Sequence, residues 1–169
     1  MKEEQGLIVR PIGRVVQGLS SPHCLPRWEV EEAEIEIDEA WAGALDGIED
    51  FSHIWVVWWL DRVPGPPNSL HVRPERREEM PLVGLFATRS PQRPNPIAIT
   101  AVRLLRREGT RLRVRGLDAC VDTPILDIKP YLRRGDLFPE ATVPGWMEEL
   151  WRIHDKETRN TDQVQDRDQ

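Results

Sequence analysis

The chain has 169 residues, of which 39% are hydrophobic and 31% charged, with a formal net charge of −6. That length suits one domain with a core of its own, and the longest apolar run, "IWVVWWL" at 54–60, is far too short to span a bilayer. The first residues hold no signal-peptide core and the two cysteines, Cys24 and Cys120, make no disulfide framework, so a cytoplasmic chain without membrane attachment is expected.

In chain order, six stretches read as extended: 7–16 ("LIVRPIGRVV"), 32–37 ("EAEIEI"), 52–60 ("SHIWVVWWL"), 82–87 ("LVGLFA"), 97–105 ("IAITAVRLL") and 111–117 ("RLRVRGL"). Pro and Gly turns separate them at the spacing of a β-barrel or sandwich. Residues 40–51 have room for a short helix. Residues 63–81 form a long loop rich in proline and charge, a length that is usually functional or mobile. Residues 144–156 predict a helix with Trp146, Leu150 and Ile153 on one face. The last residues, 157–169, are polar, lack a core face and predict a disordered tail. The resulting division is a mainly β domain over 1–143, a helix over 144–156 and a tail over 157–169.

Charge is clustered. Acidic residues crowd 29–39 ("EVEEAEIEIDE"), while the densest basic group, 103–116 ("RLLRREGTRLRVRG"), reads as a hairpin turning at Glu108, Gly109 and Thr110. Alternation places Arg111, Arg113 and Arg115 on one face and Leu112 and Val114 on the other. Such a stripe is either a solvated outer face or a surface for phosphates. The acidic sum is a mild argument against nucleic acid, but the distribution of charge counts for more.

Several chemistries find no support. No glycine-rich fingerprint opens a helix after a strand, and no phosphate-binding loop is present. His23, His53, His71 and His154 are scattered and neither cysteine stands in a CxxC pair, so no metal site is expected. No serine or cysteine sits in a nucleophile elbow. An enzyme built on this chain would act mainly by positioning.

Two stretches carry the positive signal. In 87–96 ("ATRSPQRPNP"), Pro91, Pro94 and Pro96 fix their own φ and hold Ser90, Arg93 and Asn95 extended. Arg89, Arg93 and Asn95 are thereby presented on a stiff loop, preorganised for recognition. A PxxP peptide ligand is the other reading of "PQRP", but such ligands lie in disordered regions and this one sits between apolar strands. In 117–132 ("LDACVDTPILDIKPYL"), Asp118, Asp122 and Asp127 stand among apolar residues, with Thr123–Pro124 at a turn. Asp122 there is a turn-former or part of a shared site with the first loop.

Together "GLFATRSPQRPNPIAIT", "DGIEDFSHIWVV" and "VDTPILDIKPYL" strongly resemble the TsaA-like family, whose characterised branch is TrmO, an S-adenosylmethionine-dependent tRNA methyltransferase. The resemblance runs from about Ile8 to Leu132 in the same motif order. It implies a small β-barrel methyltransferase of non-Rossmann type, working as a homodimer with the methyl donor between barrel loops near the subunit interface. The reaction it implies is methylation of the exocyclic amine of threonylcarbamoyl-adenosine beside the tRNA anticodon.

The resemblance also assigns residues. Arg89 falls at the donor's carboxylate, where a bidentate pair makes chemical sense. Arg93 and Asn95 fall towards the reacting centre and are the candidate catalytic residues. Asn95–Pro96 is either an amine-gripping pair by analogy with other adenine methyltransferases or a loop-shaping turn. Ile99 and Thr100 fall where backbone contacts the adenosine moiety. Leu60, Asp61, Asp122, Thr123, Pro124 and Ile125 fall on further donor contacts, as, more weakly, does Pro26. His53 is either catalytic or a buried structural histidine. Trp55, Trp58 and Trp59 either face the donor's sulfonium or pack in the core.

Three departures stand out. Asp122 precedes Thr123 directly, where the family commonly has an intervening glycine. Ala98 replaces a usual glycine. Beyond Leu132 a short helix and a polar tail stand where longer members carry a region that helps hold tRNA, so weak tRNA affinity is expected. The alternative function is a donor-binding protein that acts on a small molecule or as a regulator.

Overall fold

In the computed structural model, the described residues are 8–21, 29–63 and 65–165, with side chains described through 157. Six antiparallel strands close into a barrel: β1 (Gly13–Gln17), β2 (Glu32–Ile37), β3 (His53–Trp59), β6 (Ile97–Glu108), β7 (Arg111–Arg115) and β8 (Pro124–Pro130), in the order β1-β2-β7-β6-β3-β8. The mainly β fold and the barrel are as expected from the sequence.

Period-two alternation fills the barrel. Ala33, Ile35 and Ile37 of β2, Ile54, Val56 and Trp58 of β3, Val102 and Leu104 of β6, and Leu112 and Val114 of β7 all point inward and are buried. Each such aliphatic side chain contributes on the order of 1.5–3 kcal/mol by leaving water. Closure brings β1 hard against β2: a Cβ on Gly13 would overlap the Glu36 carbonyl oxygen. Bulges interrupt the register between Val15 and Gln17, between Val57 and Trp58 and between Leu104 and Arg106, where a closed sheet must bend.

Some boundaries differ from expectation. The first strand begins only at Gly13, because Pro11 has no N–H to donate to a ladder. Of the stretch 82–87, only Val83–Gly84 (β5) pairs, with His71–Val72 (β4), forming a small ribbon inside the long loop. Leu85–Ala87 is a 3-10 turn. Residues 40–51 hold two 3-10 helices, Glu39–Leu45 and Ile48–Asp50. β8 lay hidden in the sequence because Pro124 and Pro130 flank it; both stand at strand ends, where a missing amide costs little.

After a short helical turn, α1 (Arg133–Asp136), the chain ends in α2 (Gly145–Gln165). α2 buries Leu150 with Trp146 and Ile153 half-buried, the expected face. It runs nine residues past the predicted end at 156, into the segment read as a disordered tail. No glycine or proline interrupts 146–165, so nothing stops the helix. Side chains also strap it to the long loop: His154 Nε2 lies 2.7 Å from Glu75, and Arg77 donates to both carboxylate oxygens of Glu157 at 2.8 and 2.9 Å.

Candidate functional site

At the end of the barrel where β3 runs out, Trp58, Leu60, Asp61, Arg62, Val63, Asp118, Cys120 and Thr123 line a small open cleft. Its floor is a polar relay. Trp58 donates from Nε1 to the Thr100 hydroxyl at 3.2 Å, and Thr100 donates onward to Asp118 Oδ1 at 2.6 Å. Thr100 is 8% exposed, and its one hydroxyl proton goes to Asp118. At the rim, Thr123 donates to Asp61 at 3.4 Å, and Arg62 donates to the Val121 carbonyl at 2.8 Å. Two segments far apart in sequence, 58–63 and 118–123, are thus tied across one opening.

The turn before β8 has a constrained backbone. Asp122 takes φ 68, the left-handed region that favours glycine. An aspartate accepts that conformation better than most side chains do. The turn is pinned by the amide of Asp122 donating to the Val15 carbonyl and that of Val15 donating to the Thr123 carbonyl.

The proline loop reaches the same end of the barrel. The Leu60 amide donates to the Pro96 carbonyl at 2.7 Å, stapling the exit of β3 to the entry of β6. Within the loop, Thr88 Oγ1 donates to the Leu85 carbonyl and accepts from the Ser90 amide. Arg93 folds back on its own loop: it donates to the Thr88 and Ser90 carbonyls and lies 5.6 Å from the centre of the Phe86 ring. That guanidinium shapes the loop. Arg89 is exposed and, among the described residues, has no side-chain partner. Asn95 is exposed next to Pro96.

Of the residues singled out from sequence, Leu60, Asp61, Thr100, Asp122 and Thr123 therefore converge on the cleft or its rim. Ile125 is fully buried and Pro124 half-buried, so Ile125 offers only backbone. Ile99 points outward from β6, half-exposed beside Val57. Pro26 lies outside the described residues. Trp58 alone of the three tryptophans enters the core; Trp55 and Trp59 lie on the outer face of β3. His53 is exposed at the opposite end of β3, which removes both the buried and the catalytic reading at this cleft. Asp118 and Arg62 were not among the assigned contacts. Asp118 carried a signal, a carboxylate between Leu117 and Ala119, whereas nothing marked Arg62.

The arginine stripe of β7 is paired throughout. Across from it, β2 presents Glu32, Glu34 and Glu36. Arg111 binds Glu34 and Glu36 at 3.0 Å each, Arg113 binds Glu32 at 2.7 Å, and Arg115 binds Glu32 at 2.8 Å. The hydrogen bonds from Arg115 and then Arg113 hold the Glu32 carboxyl below its ordinary value. The stripe is one half of a cross-strand ion-pair ladder. The pairing is what the solvated-face reading of the sequence describes.

The family of the tRNA-methyltransferase O N-terminal domain matches residues 21–137, more than two thirds of the chain. The chain belongs to this family. A probable S-adenosyl-L-methionine-binding protein of Pyrococcus abyssi is 36% identical over 157 residues, covering 90% of this chain and 82% of its own. Another, from Archaeoglobus fulgidus, is 45% identical over 123 residues, or 73% of this chain but 32% of the relative. A tRNA (adenine(37)-N6)-methyltransferase of Eikenella corrodens is 44% identical over 99 residues, covering 57% of this chain and 56% of the relative. Among solved structures, TrmO from Pseudomonas aeruginosa superposes with a TM-score of 0.68 at 29% identity, over 83% of this chain and 62% of that one. The chain thus spans about a third of the Archaeoglobus relative and less than two thirds of the solved TrmO chain. Among the described residues, no helix is long and apolar enough to cross a membrane, and no cluster of three or more His, Cys, Asp or Glu could hold a metal ion.

Proposed function

We propose that this TrmO-family barrel is an S-adenosylmethionine-dependent methyltransferase that acts on the exocyclic amine of threonylcarbamoyl-adenosine in tRNA. The observation that carries the reading is the convergence at one barrel end of Leu60–Asp61, the stiff 87–96 loop, Thr100 and the Asp122–Thr123 turn, within a chain whose relatives carry donor-binding and tRNA-methyltransferase names.

The donor set fits the cofactor. Trp58, Leu60 and Val63 give the cleft an apolar wall suited to a nucleoside. Asp61 and Asp118 supply negative charge for the ammonium and sulfonium groups. Arg89, with no side-chain partner of its own, is available for a bidentate grip on the carboxylate. When bound, the donor would supply a methyl carbon activated by its sulfonium, with the thioether sulfur as the leaving group and solvent as the acceptor of the amine's proton.

The chain's own residues contribute positioning. The relay from Trp58 through Thr100 fixes Asp118, and the Leu60–Pro96 staple fixes where Asn95 stands relative to the cleft. Arg93 holds the loop in shape, and in this reading exposed Asn95 would accept a hydrogen bond from the target amine. Orientation of this kind removes much of the barrier without a strong base. A homodimer belongs to this reading: outward-facing Val57, Trp59, Ile97 and Ile99 form an apolar strip along β3 and β6, which a second barrel would cover.

The test is methyl transfer from labelled donor to tRNA from cells with and without the threonylcarbamoyl modification. Transfer only to the modified tRNA is expected. Donor binding by calorimetry without transfer to either tRNA would replace this reading with that of a donor-binding protein acting on a small molecule.

A further inference from the structure

At the end of β3 away from the cleft, the outer surface of the barrel has a different composition. Paired residues in adjacent antiparallel strands share a face. His53 stands opposite Arg103 of β6, and Trp55 opposite Lys129 of β8. Tyr131 follows β8, its amide donating to the His53 carbonyl at 3.0 Å. Its ring lies 5.6 Å from that of Trp55, tilted 43°, and 6.3 Å from that of His53. Asp136 accepts from Trp55 Nε1 at 3.0 Å and from the Leu132 amide at 2.7 Å, folding the turn that carries Arg133 and Arg134 against this cluster.

The charges here are unlike those of the β2–β7 ladder. Arg103, Arg133 and Arg134 are exposed and, among the described residues, make no ion pair or side-chain hydrogen bond. The acids facing the surface are already engaged: Asp136 in the two hydrogen bonds above, and Asp127 with Lys129 at 2.6 Å. An acidic protein thus keeps a local cationic surface interleaved with aromatic rings. Unpaired guanidinium groups suit phosphates, and half-exposed Trp and Tyr faces suit bases that have left a stack. A hydrophobic partner would leave the three arginines unpaired and desolvated.

We propose that His53, Trp55, Arg103, Tyr131 and the Arg133–Arg134 turn form an RNA-contact surface, in which phosphates pair with the arginines and an unstacked base lies against the Trp55–Tyr131 pair. The inference rests on the tRNA reading above and names where the RNA lies. His53 and Trp59, the two ends of β3, are six residue steps apart, roughly 20 Å at strand spacing. The surface therefore positions RNA at a distance from the cleft, as phosphate contacts do, and leaves base reading to the site.

The experiment measures binding of a fluorescently labelled tRNA anticodon stem-loop across a range of salt concentrations, with methyl transfer and donor calorimetry on the same proteins. The variants are Arg103→Ala, Arg133→Ala with Arg134→Ala, and Tyr131→Leu. Arg152→Ala, which removes a charge from α2, is the control. Each arginine lost from the surface should weaken binding and flatten the log–log salt dependence by about 0.7–0.9 per phosphate contact. Tyr131→Leu should weaken binding roughly tenfold with the salt slope kept. The control and donor affinity should not move. Variants that bind RNA as the parent does, with transfer intact, overturn the surface and leave the functional reading standing. RNA binding lost in these variants, in a protein that transfers no methyl group, upholds the surface and defeats the functional reading. No RNA binding by the parent defeats both. A dimer that becomes a monomer in the variants shows a subunit interface instead.

Discussion

The relay beneath the cleft is the most exacting point to perturb. Thr100→Val keeps the shape and β-branching of the side chain but removes the hydroxyl that accepts from Trp58 and donates to Asp118. The first bond is neutral and contributes about 1 kcal/mol; the second ends on a carboxylate and contributes about 1.5–3 kcal/mol. Trp58 is 6% exposed, so its N–H is left without water. Asp118 lines the open cleft, where solvent replaces part of what is lost. The expected cost is therefore about 2–4 kcal/mol, or a fall in Tm of roughly 5–15 °C for a chain of this size. Urea and thermal unfolding measure it. A double-mutant cycle with Asp118→Asn should return a coupling of about 1 kcal/mol or more. Thr100→Val within about 0.5 kcal/mol of the parent would refute the relay as a stabilising element, and unchanged donor affinity in a folded variant would separate it from the site.

Other outcomes follow from the same geometry. Arg89→Ala should weaken S-adenosylmethionine binding by roughly ten- to a hundredfold by calorimetry, because one charge-assisted partner is removed. Asp122 holds φ 68, so Asp122→Ala should destabilise by about 1 kcal/mol while Asp122→Gly is neutral or stabilising in urea unfolding. Glu32 is held below its ordinary pKa by Arg115 and Arg113, so its contribution is present above about pH 4.5 and lost as pH falls through the lower folded value. The urea midpoint of the parent should drop over that acid range, and that of Glu32→Gln should drop less. Gly13→Ala, whose Cβ meets the Glu36 carbonyl, should destabilise by about 3 kcal/mol or more or prevent folding.

Alternation made much of the barrel legible, because a strand with one face in the core must alternate. β2 and the start of β6 fall where the pattern put them, and the hairpin turn sits at Gly109, which takes φ 61. The pattern fails where a strand's ends carry prolines, as in β8, and where an apolar run has no barrel neighbour. Residues 82–87 are such a run: Leu82 and Phe86 remain largely exposed and Leu85 alone is buried. Local sequence reports the propensity to extend. It does not report whether a pairing partner is present.

The site shows the same division. Thr123, Asp61 and Thr100 lay in motifs, but the bond that makes Thr100 matter runs to Asp118, and the bond that holds the Asp122 turn to β3 comes from Arg62. Both are contacts between segments distant in the chain. The arginines make the point most sharply. Arg111 and Arg103 are both outward-facing residues of one hairpin and equally basic in composition. Arg111 has Glu34 and Glu36 on the adjacent strand β2, and their hydrogen bonds and charges raise its already high pKa. Arg103 stands between His53 of β3 and Arg115 of β7 instead and, among the described residues, pairs with no carboxylate. A cation's availability for phosphate is decided by the neighbouring strand, so net charge and local arginine density mislead together here. The acidic sum conceals a cationic surface, and the densest basic run is the one already neutralised.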